Sequence, residues 1–439
     1  MRSAALVYRV AQVALRAFTP ILARGDSKFA RGMRARRDAH DRLVRWGAGR
    51  PDPERPVIWF HAPSVGEGLQ ARAVIEALRV RRPDIQVVFT HFSPSAEALA
   101  KQMPTDFADY LPWDLASAVR PAMDTIRPAL LVFTKTEVWP VMVREAERRG
   151  VPVAMIAGTL PVTSSRGRWP ARPLLRSTWS RLSATAAISS ADAERFGRIG
   201  VRPDVVEVTG DPGIDSAAQR ASAADPTSPY LAPFLADPRP TVIAGSTWPV
   251  DEHILVPALA RVRSTAPDVR VVVAPHEPTP ERVAELGTRL EGAGFKVALL
   301  SVIEVSGHVG ETNAVIVDRV GPLAHLYTAG TVAYVGGGFH DAGLHSVLEP
   351  AAAGLPVVFG PRNHTAMAAR DLLDEEGAKV ADGPGPLAQV LLAWLLDEGL
   401  RHYTGARARG YIDAHLGAAE RTAALLERLL NEPADAKRS

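Results

Sequence analysis

Glu67, Lys135 and a handful of histidines, each set among glycine, serine and proline, are the residues of this chain best suited to chemistry. Glu67 lies in HAPSVGEGLQARAVIEAL, directly after the apolar run PVIWFH. A carboxylate at the carboxyl end of a strand, at a cleft mouth, is well placed to act as a general base. Ser64 and Glu67 also match a capping box, in which hydroxyl and carboxylate each bond a backbone N–H at a helix start. The box leaves Gly66 unexplained, where a missing Cβ permits close backbone approach, and it leaves His61 as well. Further on, VFTKTEVWPVMVREAERRG brings Lys135, Glu137 and Trp139 to a strand-to-helix junction, with Pro140 suited to the first helical turn. A solvated helix face is the plainer reading of that lysine and glutamate.

The second half holds a different kind of loop. TVIAGSTWPVDEHILVPAL sets Gly245, Ser246 and Thr247 between a strand and a helix, where backbone N–H groups can meet an anion or the hydroxyls can cap the helix. VVVAPHEPTPERV puts Pro275, His276 and Glu277 after the next strand, and a surface histidine is the alternative there. In TVAYVGGGFHDAGLHSVLEPAAAGLPVVFGP a strand runs into Gly336, Gly337 and Gly338, and a helix is expected from near Leu344. Glycine amides and a helix dipole together suit a phosphate. Glu349, about one turn into that helix, suits ribose hydroxyls. Gly354, Pro356, Gly360 and Pro361 bracket the strand that follows. No Asp-X-Asp pair, histidine zinc pattern or glycine-rich Lys-Ser/Thr loop is present, so a metal clamp on a diphosphate has no obvious ligands.

Elements that alternate position these loops. From Pro56, the runs PVIWFH, IQVVFT, ALLVF, VPVAMIA and ATAAIS each lead into a helical stretch. After an Ala-, Ser-, Asp- and Pro-rich break the rhythm resumes with TVIAGS, VRVVVAP, FKVALL, NAVIVD, TVAYVGGG and LPVVFG. Alternation of this kind predicts parallel sheets covered on both faces, with ligands beyond the carboxyl ends of the strands. The 439 residues suit two domains. The expected division is a basic segment at 1–50, an α/β domain at 51–215, a linker at 216–240, a second α/β domain at 241–415, and a last helix with its tail at 416–439, packing back across the boundary.

Composition narrows the classes. There is no cysteine, which excludes disulfides, thiolate metal sites and a cysteine nucleophile. Residues 1–50 hold twelve Lys plus Arg against three Asp, although the whole chain carries only +3. The basic excess therefore sits at one end, and the all-over basic surface that nucleic acid favours is absent. Within residues 1–23, Arg2, Arg9 and Arg16 recur every seven residues opposite Val7, Val10, Ala14, Phe18 and Leu22. That pattern fits a helix lying in a bilayer interface, or one packed on the protein itself. Lys28, Arg31, Arg34, Arg36 and Arg37 follow and favour an anionic membrane surface.

From residue 56 to about 380 the chain resembles the 3-deoxy-D-manno-octulosonic acid (Kdo) transferases. The resemblance runs in order through HAPSVGEG, THFSPSAEA, YLPWD, KTEVWP, TGDPGID, AGSTWPVDE, APHE and GGGFHDAGLHSVLEPAAAGLPVVFGP. It implies a GT-B fold, with two Rossmann-like doubly wound domains, an interdomain cleft and an N-terminal amphipathic membrane-associated helix. It also implies inverting transfer of Kdo from CMP-Kdo to a lipid A precursor, without metal or other cofactor, at the cytoplasmic face of the inner membrane. Glu67 would be the general base, with Ser64, Gly66, Lys135 and Glu137 on the acceptor side. Ser246, Thr247, His276, Gly337, Gly338, His345 and Glu349 would hold the donor. Ser346, Gly213 with Ile214, and Ala157 to Pro161 depart from the family's commoner residues. A UDP-sugar transferase or epimerase of the same fold, or a non-catalytic nucleotide-binding membrane protein, are the alternatives.

Overall fold

Short runs of Val, Ile, Leu, Phe and Ala, buried on both faces, become parallel strands because only a sheet sandwiched by helices hides both sides of such a run. The computed structural model describes residues 12–13, 24–25, 28–36, 38–162, 164–169, 171–364 and 366–431. The amphipathic pattern of residues 1–23 lies outside the described residues, apart from 12 and 13. Two units are distinguished: one runs to Ser216 and resumes at Gly417, and the other is Ala217–Leu416. Among the described residues no helix is long and apolar enough to cross a membrane.

The first unit has seven strands: β1 (Val57–His61), β2 (Gln86–His91), β3 (Phe107–Tyr110), β4 (Pro128–Thr134), β5 (Val153–Gly158), β6 (Ala184–Ala187) and β7 (Val206–Val208). They lie all parallel in the order β3-β2-β1-β4-β5-β6-β7. The order reverses between β1 and β4, which is where a doubly wound sheet opens a crevice. The helix Val65–Arg81 follows β1, and the helix Pro140–Glu147 follows β4. Trp59 and Phe133 are fully buried on one face of the sheet, and Ile58, Phe60 and Val132 on the other. The last helix, Ala418–Asn431, joins this unit. Its Ala423 and Leu426 pack with Val74 and Leu78 of the helix after β1. Asp215 fixes its start by accepting from Gly417 N (2.7 Å) and Ala419 N (2.9 Å).

Part of the basic segment belongs to this core, contrary to its treatment as one membrane-facing stretch. Arg36 is 3% exposed; it donates to the carbonyls of Leu111 and Pro112 and lies over the rings of Phe92 and Trp113. Arg42 pairs with Asp109, and Leu43 is buried against the helix Ala116–Ile126. These guanidiniums satisfy local carbonyls and a carboxylate, which composition alone does not reveal.

The second unit has β8 (Thr241–Thr247), β9 (Arg270–Pro275), β10 (Val297–Leu299), β11 (Ala314–Ile316), β12 (Val332–Val335), β13 (Val357–Phe359) and β14 (Ala378–Val380). They are all parallel in the order β10-β11-β9-β8-β12-β13-β14, so the reversal falls between β8 and β12. Three expectations need correction. The stretch 216–240 is partly helical, holding the end of Pro212–Ser222 and all of Ala232–Ala236. Gly245, Ser246 and Thr247 are not a connecting loop but the last residues of β8. The helix expected from Leu344 begins at Leu348 and has five residues, so Glu349 stands at its start and no long helix dipole faces the glycine turn. The cause is local: His345 N bonds back to Gly336 O at 3.1 Å, holding the intervening residues as a loop.

Candidate active site

At the switch point of the first sheet, Glu67 and Lys135 come together from opposite sides of the reversal. Glu67 lies in the first turn of the helix after β1, and Lys135 directly follows β4. Lys135 Nζ donates to Glu67 Oε1 at 2.9 Å, and the Ser64 hydroxyl donates to Oε2. The capping box is therefore not formed. Ser64 occupies the N-cap but spends its hydroxyl on the carboxylate rather than accepting from a backbone N–H. Lys135 takes φ +56°, a left-handed conformation costing a non-glycine residue of order 1–3 kcal/mol where the surroundings impose it. Its N–H bonds Ile156 O at 2.8 Å, which holds that conformation against the sheet. A Cβ placed on Gly66 meets nothing within 4 Å, so the protein's own packing does not demand glycine there.

Buried residues brace this loop pair. His61 ends β1 fully buried, with Nδ1 3.0 Å from Thr90 O and Nε2 without a partner among the described residues. Burial pushes its pKa down to about 3, so the ring is neutral and Nδ1 carries the proton. His61 meets Phe133 and Trp139 edge-on, and Trp139 stacks with Phe92. Asp114, from YLPWD, caps the helix after KTEVWP by accepting from Val141 N (2.9 Å) and Met142 N (3.0 Å). Asp211, from TGDPGID, accepts from Gln70 Nε2 (2.7 Å) on the helix that carries Glu67. Glu137 is not bonded to Lys135; it pairs with Arg166.

The second unit gathers rings and glycines at its own switch point. Ser246 adopts φ +55° where the pairing of β8 with β9 slips by a residue, a bulge of the kind that re-aims side chains beside active sites. Trp248, the next residue beyond β8, stacks on His340 (4.2 Å between centroids) and on His276 (4.6 Å). Its indole Nε1 donates to His345 Nε2 at 2.9 Å. His276 also stacks on His345 at 4.4 Å. Burial, then the neighbouring His276 and His340, push His345 down to about 4.

Asp251 holds this arrangement from behind. It is fully buried and accepts from Trp248 N (2.9 Å), Gly337 N (2.8 Å) and Tyr334 Oη (3.1 Å). Burial beside that carboxylate pushes the Tyr334 phenol well above its ordinary value. The glycines are required by contact: a Cβ on Gly338 would lie 2.4 Å from Gly360 N, and one on Gly337, at φ +90°, 2.3 Å from Gly343 O. Thr247 faces inward, 2% exposed, with its hydroxyl 3.2 Å from the buried Glu252. Glu349 stands apart from the rings in an ion pair with Arg220 at 2.5 Å.

Of the residues named from sequence, Glu67, Lys135 and Ser64 come together in the first unit, and His276, His345 and the glycine turn in the second. Sequence reasoning passes over Trp248, Asp251 and His340 as individual residues, and over Arg166 and Arg220. An acidic residue three places beyond Trp248 in a helix start was a usable signal for Asp251. Arg220 sits 129 residues from Glu349, beyond any local pattern.

Residues 37–216 match the family model described as 3-Deoxy-D-manno-octulosonic-acid transferase (kdotransferase). A 3-deoxy-D-manno-octulosonic acid transferase of Bordetella pertussis is 28% identical over 402 residues, 88% of this chain and 90% of that one. Its counterpart in Chlamydophila psittaci is 28% identical over 325 residues, covering 72% and 73%. Among solved structures, a UDP-GlcNAc 2-epimerase from Neisseria meningitidis superposes with TM-score 0.62 at 14% identity, over 86% of this chain and 100% of that one. A putative UDP-N-acetylglucosamine 2-epimerase from Listeria monocytogenes gives 0.62 at 12%, over 86% and 98%. At such identities the two structures establish the fold alone, which is GT-B.

Proposed function

We infer that the chain belongs to the Kdo transferases and, from that premise, that it is an inverting glycosyltransferase moving Kdo from CMP-Kdo to a lipid A precursor in lipopolysaccharide biosynthesis. The observation that carries the reading is Glu67 at the first sheet's switch point, gripped by Ser64 and Lys135 within the matched segment. A sugar hydroxyl is a poor nucleophile near neutral pH, and a positioned base contributes roughly 10²–10⁴-fold. Glu67 takes the acceptor's proton as the hydroxyl oxygen bonds the anomeric carbon and the bond to the CMP phosphate breaks from the opposite face, inverting the centre. Ser64 now sits on Oε2 where the acceptor hydroxyl would bond, while Lys135 keeps Oε1 in place. Gly66 leaves room for the acceptor to approach, and Glu137 with Arg166 lies on the same side.

The CMP group and the Kdo carboxylate are assigned to the second unit. Ser246, Thr247, His276, Gly337, Gly338, His345 and Glu349 form that set, Thr247 and Glu349 through the residues they anchor. A departing monophosphate carries less charge than a diphosphate, so amides, imidazoles and basic side chains suffice and no metal is needed. Residues 1–23 hold the enzyme on anionic lipid at the cytoplasmic face of the inner membrane, where the acceptor's phosphates lie.

Radiolabelled CMP-Kdo incubated with lipid A precursor tests the whole reading. Label should enter lipid, CMP should inhibit in preference to UDP, and activity should survive saturating EDTA. No transfer to any lipid A precursor, or inhibition by UDP alone, would overturn the assignment. Loss on chelation with rescue by Mg²⁺ would overturn the metal-free step.

A further inference from the structure

We propose that Trp248 is a positioning residue that fixes the tautomer of His345, so that His345 meets the donor's anion as a neutral imidazole donating from Nδ1. The proposal rests on His345 facing the donor, as argued above. An indole nitrogen has a proton and no lone pair to offer, so it can only donate. His345 Nε2 lies 2.9 Å from Trp248 Nε1 and must therefore be the acceptor. The ring's one remaining proton is then on Nδ1, because the bond made by one imidazole nitrogen dictates the state of the other. The two ring planes differ by only 13°.

The surroundings resist both escapes from that state. Flipping the ring is opposed by His276, stacked at 4.4 Å on His345 and at 4.6 Å on Trp248. His345 N is also tied to Gly336 O, which binds the residue to the glycine turn. Protonating the ring would set two N–H groups against each other in a half-buried site. The ionisable groups around it, His276 and His340, would add like charge if protonated. Asp251, the carboxylate that organises this loop, already accepts from Trp248 N, Gly337 N and Tyr334 Oη.

The consequence is chemical. A neutral histidine side chain in water favours the proton on Nε2, and that tautomer would turn the Nδ1 lone pair towards a phosphate or carboxylate. Trp248 reverses the preference and presents an N–H instead. A neutral donor of this kind keeps its hydrogen bond across the neutral range, whereas an imidazolium loses its charge as pH rises through about 6.5.

Nitrogen-15 NMR of the full chain labelled at histidine reads the tautomer directly. His345 should show the Nδ1–H form, unprotonated, from pH 5 to 8. An Nε2–H form, or an imidazolium at pH 7, would overturn the proposal without any substitution. Trp248→Phe keeps a stacking ring and removes the donor. In that variant His345 should pass mainly to Nε2–H, and the dissociation constant for CMP-Kdo should rise at least tenfold with a small change in melting temperature. An unchanged tautomer, or a changed tautomer with unchanged affinity, also overturns it. Failure of the Kdo reading looks different: the unsubstituted protein then binds neither CMP nor CMP-Kdo, while the tautomer signal still reports on the lock.

Discussion

The two switch points are built from opposite materials. The first holds a carboxylate that the proposed reaction requires to exchange partners, and its neighbours are charged and partly solvated: Lys135 is 34% exposed and Glu67 16%. The second is organised by a carboxylate, Asp251, that is fully buried behind stacked rings and close-packed glycines. Both place a non-glycine residue in the left-handed region at a strand's carboxyl end, Lys135 at φ +56° and Ser246 at φ +55°. Each fold half therefore strains its backbone where it turns towards chemistry, the first beside a paired carboxylate and lysine and the second beside three half-buried histidines. A base needs access, and a cradle needs rigidity.

Substituting one carboxylate from each site separates these roles, and the larger effect belongs to the first. Glu67→Gln keeps the side chain's shape and removes the base, so the transfer rate should fall roughly 10²–10⁴-fold. Its stability should change by no more than about 1 kcal/mol, because a partly exposed ion pair contributes little. A rate near the parent's would reduce Glu67 to a structural link. Asp251→Asn should do the reverse. Asparagine offers one acceptor oxygen and sets an amide against donors at Trp248 N, Gly337 N and Tyr334 Oη. Urea unfolding should show a loss of about 2–4 kcal/mol, with CMP binding weakened alongside. Unchanged stability would mean that Asp251 is not the cradle's support.

Glycines sharpen the contrast further. Gly338→Ala forces a Cβ to within 2.4 Å of backbone at Gly360, and overpacking of this kind costs about 1–3 kcal/mol. Gly66→Ala meets open space, so its stability should stay within about 0.5 kcal/mol, as for other unconstrained surface positions. If the acceptor approaches there, KM for the lipid should rise while KM for CMP-Kdo holds. Equal melting curves for the two alanine variants would contradict the packing described for the glycine turn.

Interior strands were legible because a strand buried on both faces is an unbroken apolar run, as in VIWFH of β1 or VVVAP of β9. The strands that composition hides are β3, β7 and β14, all at sheet edges. FADY, VEV and AKV are short and partly exposed, so they carry too few apolar residues to register. Local patterns misread the site in the same way. Ser64 and Glu67 spell a capping box, but a lysine 68 residues away changes the bonds they make. Leu344 to Glu349 spells a helix, but the bond from His345 N to Gly336 O holds the first part in a loop. Ordered motifs pointed to loops that lie at the switch point of each sheet, because motifs record tertiary partners that a window of neighbours omits.

A further comparison concerns the imidazole that burial keeps neutral in the first unit, His61, set against His345, which is held among other rings. His61 in the folded protein has a pKa pushed down to about 3 by burial, against an ordinary value of 6.5. As pH falls, the unfolded chain takes the proton first, so folding loses free energy. The contribution of His61 is thus complete above about pH 6.5 and declines progressively towards pH 3. Between pH 7 and 5 the loss amounts to about 2 kcal/mol. His91, His325 and His345 are shifted down as well and add slope of the same sign, so the comparison must be differential. His61→Leu cannot titrate, and it gives up the bonds to Thr90 O and Oγ1 and the edge contacts with Phe133 and Trp139 at every pH. It should be less stable than the parent at pH 7, with the gap narrowing by about 2 kcal/mol at pH 5 in chemical unfolding. A gap that stays constant would mean that His61 takes up a proton in the folded state, and that the end of β1 is wetter than its burial implies.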